Sequence, residues 1–186
     1  MKEMNKGVIY SAIGDKYIKE ALQSAESLKN VMPNINITVF CDSKNNLNSK
    51  NVDKTVTIKE DYFNYPFLAK IYSMINAPYY KTLFLDTDTY LCDDCSELFT
   101  LLDQFDIASA HAPVRDCTKQ KRGKDIAYDI NIPESFPEMN TGVLAFKNNE
   151  VINSFLKKWF DNFQYRIKQK SYLINLLSEN HFILVM

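Results

Sequence analysis

The residues best suited to chemistry in this chain are two carboxylates, Asp86 and Asp88, set one residue apart in Thr82-Leu83-Phe84-Leu85-Asp86-Thr87-Asp88-Thr89-Tyr90. An apolar run delivers them, and Asp93 and Asp94 follow closely. Positions i and i+2 of an extended chain point the same way, so the pair is expected to converge. Two anions held together raise each other's pKa unless a cation compensates them. A hard divalent ion such as Mn²⁺ or Mg²⁺ does this through oxygen ligands and keeps coordination positions open for phosphate oxygens. The structural alternative is an Asp86 that caps a turn beside a solvated Asp88. The cation reading is preferred because a four-residue apolar strand precedes the pair, and the position also fits, since ligand sites in open α/β sheets lie at the carboxyl ends of strands.

Other reactive side chains are sparse. Cys92 and Cys95 form a CxxC without a second one, Cys41 and Cys117 stand alone, and His111 and His181 have no ligand spacing. Thiols are therefore expected rather than zinc or a disulfide. The four glycines, Gly7, Gly14, Gly123 and Gly142, are dispersed, and neither GxGxxG nor GxxxxGK[ST] occurs. That excludes a P-loop and argues against a dinucleotide-type phosphate cradle. His111 reads as a hydrogen-bonded loop residue, with contact to an acceptor or metal as the alternative. Lys119, Lys121, Arg122 and Lys124 read as a solvated loop, and the sequon Asn36-Ile37-Thr38 falls in an expected strand and is discounted.

These side chains need a frame. A chain of 186 residues suggests one domain spanning residues 1–186, and 46% apolar residues are enough for a core. A net charge of −1 argues against a nucleic-acid binder. No apolar stretch is long enough to span a bilayer, and Met1–Gly7 lacks an apolar signal core, so a cytoplasmic location is expected. Strands are read at residues 7–13, 35–40, 56–58, 81–85, 106–110, 142–146 and 182–185. Helices are read at 16–29, 67–77, 96–102, 149–168 and 172–177. Asp15 is the expected N-cap of the first helix, whose apolar face carries Tyr17, Ala21, Leu22, Ala25 and Leu28. Residues 42–54 and 114–137 are expected loops. Continuous apolar strands alternating with helices predict an α/β fold with a mostly parallel central sheet covered on both faces. The chain stops at Met186 inside an apolar run, so the natural end is expected to continue further or to have been trimmed.

With those elements placed, the string LFLDTDTYLCDDCSELF resembles the DxD region of GT-A glycosyltransferases, most closely of glycosyltransferase family 8, the glycogenin-like nucleotide-diphospho-sugar transferases. Three further segments agree in order. They are Tyr10-Ser11-Ala12-Ile13-Gly14-Asp15-Lys16-Tyr17 before a helix, Phe67-Leu68-Ala69-Lys70-Ile71, and Phe136-Pro137-Glu138-Met139-Asn140-Thr141-Gly142-Val143-Leu144. The resemblance covers nearly the whole chain and implies a Rossmann-like GT-A fold. It implies a metal-dependent enzyme that moves a hexose from a UDP-sugar to an unknown glycan, protein or small-molecule acceptor, with retention of configuration. It places Asp86 and Asp88 on Mn²⁺ or Mg²⁺ against the diphosphate, with Thr87 between them. Ser11, Ala12 and Ile13 line the uracil and ribose pocket, and Tyr17 stacks on the base or, alternatively, packs in the core. Lys70 supports the sugar or the carboxylates, and Asn140, Thr141 and Gly142 lie where the donor sugar binds. Catalytic roles fall to Asp86, Asp88, Lys70 and Asn140.

Two departures keep alternatives open. Lys168-Gln169-Lys170 stands where relatives carry a DQ pair, and His181 comes too early to match their C-terminal metal-binding histidine. The first alternative is therefore a nucleotide-sugar binder without turnover. The second is a haloacid-dehalogenase-like phosphatase, although Tyr90 occupies the position where that motif carries Thr or Val. A sugar-phosphate nucleotidyltransferase would need a glycine-rich basic loop that this chain lacks.

Overall fold

A computed structural model describes residues 5–42, 49–111 and 139–170, without the side chains of Arg166, Lys168, Gln169 and Lys170. The chain begins with β1 (Lys6–Ala12), α1 (Asp15–Val31), β2 (Asn36–Cys41), β3 (Lys54–Thr57) and a short 3-10 turn at Glu60–Tyr62. It continues through α2 (Pro66–Ile75), β4 (Lys81–Leu85), α3 (Glu97–Leu101), β5 (Ile107–His111), β6 (Met139–Lys147) and α4 (Glu150–Lys170). The expected helix at 172–177, the strand at 182–185, the loop at 114–137, the basic cluster Lys119–Lys124, Cys117 and His181 lie outside the described residues.

The six strands form one sheet in the order β3-β2-β1-β4-β6-β5. β1 pairs in parallel with β2 on one side and with β4 on the other. β6 runs antiparallel to both its neighbours, β4 and β5, so it is the one reversed strand of the six. The mixed α/β fold and the mostly parallel sheet agree with the expectation. The reversal of β6 was not legible, because a strand buried on both faces reads as the same apolar run in either direction. Because β2 and β4 flank β1 from opposite sides, the chain changes winding direction there. The crevice at the carboxyl ends of β1 and β4 is thus the topological switch point, where doubly wound sheets bind ligands.

Alternation along the strands sorts the core into two layers. Val8, Tyr10, Ala12, Leu83 and Leu85 face α1 with Ala21, Ala25 and Leu28. Ile9, Phe84, Leu144 and Phe146 face the opposite side with Ala69 and Met74 of α2 and Ile152 and Leu156 of α4. Leu68 and Ile71 of α2 join Phe163 of α4 in a seam between the two helices. Each of the buried Val, Leu, Ile, Phe and Met side chains among these contributes about 1.5–3 kcal/mol from burial.

Two local differences from the sequence reading have plain causes. Asp15 is the first residue of α1 rather than its cap. Gly14 occupies the cap position at φ 88, a conformation that favours glycine, and its N–H donates to Asp42 Oδ2 at 2.8 Å. Tyr17 is not on the buried face; it is 47% exposed, because Ile18 takes the inward position instead. Core packing is thereby removed as the role of Tyr17.

Gly7 illustrates how tightly β1 and β4 are joined. A Cβ there would lie 2.5 Å from the ring of Tyr79. That ring is buried and its hydroxyl is bonded to Thr38 Oγ1 at 2.8 Å, so it has no easy retreat. Gly7→Ala is expected to cost about 1–3 kcal/mol by overpacking. Thermal denaturation should register this as a loss of about 2–4 °C for each kcal/mol; an unchanged Tm would contradict the packing described.

Candidate active site at the carboxyl end of the sheet

β4 ends at Leu85, and the two carboxylates do not sit on an extended strand as expected. Residues 86–89 form a turn in which the Thr89 N–H donates to the Asp86 carbonyl at 3.2 Å and the Thr89 hydroxyl donates to the same carbonyl at 2.8 Å. The sheet continues one residue further on the other side, where the Asp86 N–H donates to the Gly142 carbonyl at 2.8 Å. Asp86 and Gly142 are therefore opposite each other across β4 and β6, and directly opposed side chains crowd one another. A Cβ on Gly142 would lie 2.9 Å from Asp86 Oδ2 and 3.0 Å from Asn140 Oδ1. The bare Cα of Gly142 is what leaves room for the Asp86 carboxylate, and Asn140 Oδ1 accepts from the Gly142 N–H at 2.7 Å. The Asn140 carbonyl is bound in turn by the Ser109 hydroxyl of β5.

Asp86 shares the sheet face of Phe84, which is the face covered by α2. From that helix Lys70 rises along the ring of Phe84, its Nζ 4.7 Å from the ring centroid, and donates to Asp86 Oδ1 at 2.6 Å. The Lys70 side chain is only 8% exposed, against 28% for Asp86. Burial lowers the pKa of the ammonium below its ordinary 10.5, while Asp86 first, and then Asp88, push it back up. Asp88 is exposed. Two carboxylates against one ammonium leave a net negative rim, with Asp86 Oδ1 engaged and Oδ2 in the space beside Gly142.

The remaining expected residues divide by parity. Ser11 and Ile13 lie on the same sheet face as Ile9, Phe84 and Asp86, and both are partly accessible. Ala12 is fully buried in the opposite layer, against α1. Thr87 is buried too, and its hydroxyl donates to Glu20 Oε2 of α1 at 3.1 Å. Ala12 and Thr87 thus present only backbone to the crevice, and Thr141 is likewise buried. Tyr17 stands at the start of α1 with Lys16 Nζ 5.3 Å from its ring centroid. His111 ends β5 opposite Met139, next to Asn140. Among the described residues no group of three or more His, Cys, Asp or Glu side chains forms a metal cluster.

Sequence reasoning missed the support behind this turn. Ser24 and Ser27 are buried in the apolar stripe of α1. The Ser24 hydroxyl bridges Tyr10 Oη at 2.9 Å and Thr89 Oγ1 at 3.0 Å, and Ser27 Oγ accepts from the Leu91 N–H at 3.0 Å. The available signal was two small polar residues interrupting an apolar helix face.

No family model and no curated protein sequence matches the chain. Solved structures do. The galactosyltransferase LgtC, in a complex with donor and acceptor sugar analogues, is 18% identical; the match covers 93% of this chain and 66% of LgtC, with a TM-score of 0.59. The glycosyltransferase GlyE of Streptococcus pneumoniae TIGR4 is 17% identical over 95% of this chain and 41% of GlyE, with a TM-score of 0.54. The bifunctional glycosyltransferase WbbM is 16% identical over 87% of this chain and 34% of WbbM, with a TM-score of 0.53. This chain has the GT-A fold. It spans less than two thirds of the length of each of these structures, and at such identities the likeness is one of architecture. Within this GT-A sheet, the acidic turn and its lysine occupy the switch-point crevice.

The Lys70–Asp86 pair yields a stability test. Asp86→Ala strands a buried ammonium and is expected to cost about 3–5 kcal/mol; adding Lys70→Met removes the stranded charge and should recover that loss. The folded pKa of Lys70 lies below 10.5, so across that window the native state binds fewer protons than the unfolded chain. The penalty is therefore full below the folded pKa and is relieved as pH rises through it. Urea titrations should show the gap between wild type and Asp86→Ala narrowing from neutral to alkaline pH; a constant gap would contradict a charged, buried Lys70.

Proposed function

We propose that the chain is a metal-dependent hexosyltransferase that uses a UDP-sugar and retains the configuration of the transferred sugar. The observation that carries this reading is the Asp86–Lys70–Gly142 arrangement at the switch point of a GT-A sheet. The likeness to glycosyltransferases favours transfer over the phosphatase alternative.

The residues fit a hard divalent cation. Asp86 Oδ2 lies 2.9 Å from where a Cβ on Gly142 would stand, so only glycine leaves that oxygen clear, and Asp88 offers an exposed carboxylate. Oxygen donors of this kind suit Mn²⁺ or Mg²⁺ rather than a thiophilic metal. When bound, the cation stabilises the charge that develops on the departing nucleoside diphosphate. The chain's own residues then have distinct tasks. Lys70 fixes the plane of the Asp86 carboxylate through its bond to Oδ1. Ser11 and Ile13 form the floor on which the nucleoside lies, with Tyr17 available to stack on the base. Asn140, held by its bond to the Gly142 N–H, borders the donor sugar. The acceptor is a glycan, protein or small molecule, and the location is cytoplasmic. Among the described residues no helix is long and apolar enough to cross a membrane.

Calorimetry with UDP, in the presence and absence of Mn²⁺, tests the site directly. Wild type should bind UDP in a Mn²⁺-dependent manner and Asp88→Ala should lose about 10-fold or more in affinity. Binding that ignores both the metal and the substitution would remove the assignment. A screen of nucleotide sugars for donor hydrolysis with Mn²⁺ then identifies the sugar, and product anomeric analysis reads the stereochemistry.

A further inference from the structure

The chain that leaves β4 does not wander over the surface; it descends alongside α1 and is tied to it at alternate residues. Thr87 donates to Glu20 at 3.1 Å, Thr89 meets Ser24 at 3.0 Å, and the Leu91 N–H donates to Ser27 at 3.0 Å. Four residues further along the chain, Cys95 Sγ lies 3.6 Å from Met32 Sδ. Glu20, Ser24 and Ser27 are spaced i, i+4 and i+7, the repeat of one helix face. A helical turn rises about 5.4 Å, so the three partners lie along one face of α1 beside the acidic turn and the segment that follows it.

The consequence is a sorting of side chains. Thr87, Thr89 and Leu91 are drawn toward α1, and Asp88 and Tyr90 are left exposed between them. The middle rung reaches the site itself, because the Thr89 hydroxyl that meets Ser24 also donates to the Asp86 carbonyl at 2.8 Å. Buried polar groups of this kind specify one arrangement when all are satisfied.

We propose that Glu20, Ser24 and Ser27 are positioning residues of the donor site. They hold the acidic turn through Thr87, Thr89 and Leu91, so that Asp86 and Asp88 are set for the cation and the diphosphate before either arrives. None of the three touches the ligand. The inference rests on the reading of Asp86 and Asp88 as a cation–diphosphate site.

The test uses the full chain with UDP and Mn²⁺ as probes. Glu20→Ala, Ser24→Ala and Thr87→Val should each weaken Mn²⁺-dependent UDP binding about 10-fold or more, as loss of an outer partner of a metal ligand does. Glu20→Gln and Thr87→Ser keep an acceptor and a hydroxyl respectively and should restore binding. Thermal melts of the same variants establish that they are folded, and the rescue pairs separate positioning from mere structural damage. If wild type binds and the folded Ala and Val variants bind equally well, the positioning role is overturned while the site survives. If wild type shows no Mn²⁺-dependent binding, the reading of the site falls and the inference falls with it.

Discussion

The structure turns on one electrostatic contact, the bond between the Lys70 ammonium and Asp86 Oδ1. It joins α2 to the end of β4 across the sheet face and places a positive charge where an apolar side chain would pack at less cost. Burial pulls the ammonium toward neutrality and the carboxylates hold it charged. A fold optimised for stability alone has no reason to keep such a group in its interior. Its place at the switch point, beside the exposed Asp88, is the physical ground for reading the crevice as a site rather than as packing.

Around that contact the two layers of the molecule divide the work. On the α2 side lie the ion pair, the accessible residues of β1 and the glycine that makes space for a carboxylate. On the α1 side lies a set of hydroxyls and one carboxylate that fix the backbone of the acidic turn. The sheet between them is the rigid partition. A single strand end thus has its Asp86 carboxylate held from one face and the threonines that follow held from the other.

Much of this could be read from the residues, and the limits are instructive. The apolar run before Asp86 and the helical periodicity of Ile152, Leu156 and Phe163 located β4 and α4, because burial writes a regular pattern into sequence. Lys70 was pointed to by the resemblance of its helix rather than by its own pattern, since a helix lysine can equally be solvated. Parity was harder. Ser11, Ala12 and Ile13 read as one contiguous lining, but alternation turns Ala12 into the core, and the same rule turns Thr87 toward α1. Asp86 and Asp88 read as neighbours on a strand, but the hydroxyl of Thr89 closes the chain into a turn at that point. Tyr17 and Ile18 are adjacent apolar residues at a helix start, and only the packed structure decides which of them faces inward. The partnership of Gly142 with Asp86 depends on the direction of β6, which composition does not encode.

The irregular pairing of β5 with β6 has its own consequence. His111 and Met139 face each other across two strands, so the intervening segment departs from and returns to neighbouring points beside Asn140. When the two ends of an insertion are already fixed together, lengthening it adds little entropic cost, because closure scales only with the logarithm of its length. The pairing of His111 with Met139 therefore carries only a small added closure cost for each residue of the connection. Closure of this kind leaves the length of the connection nearly neutral for the stability of the β5–β6 pair.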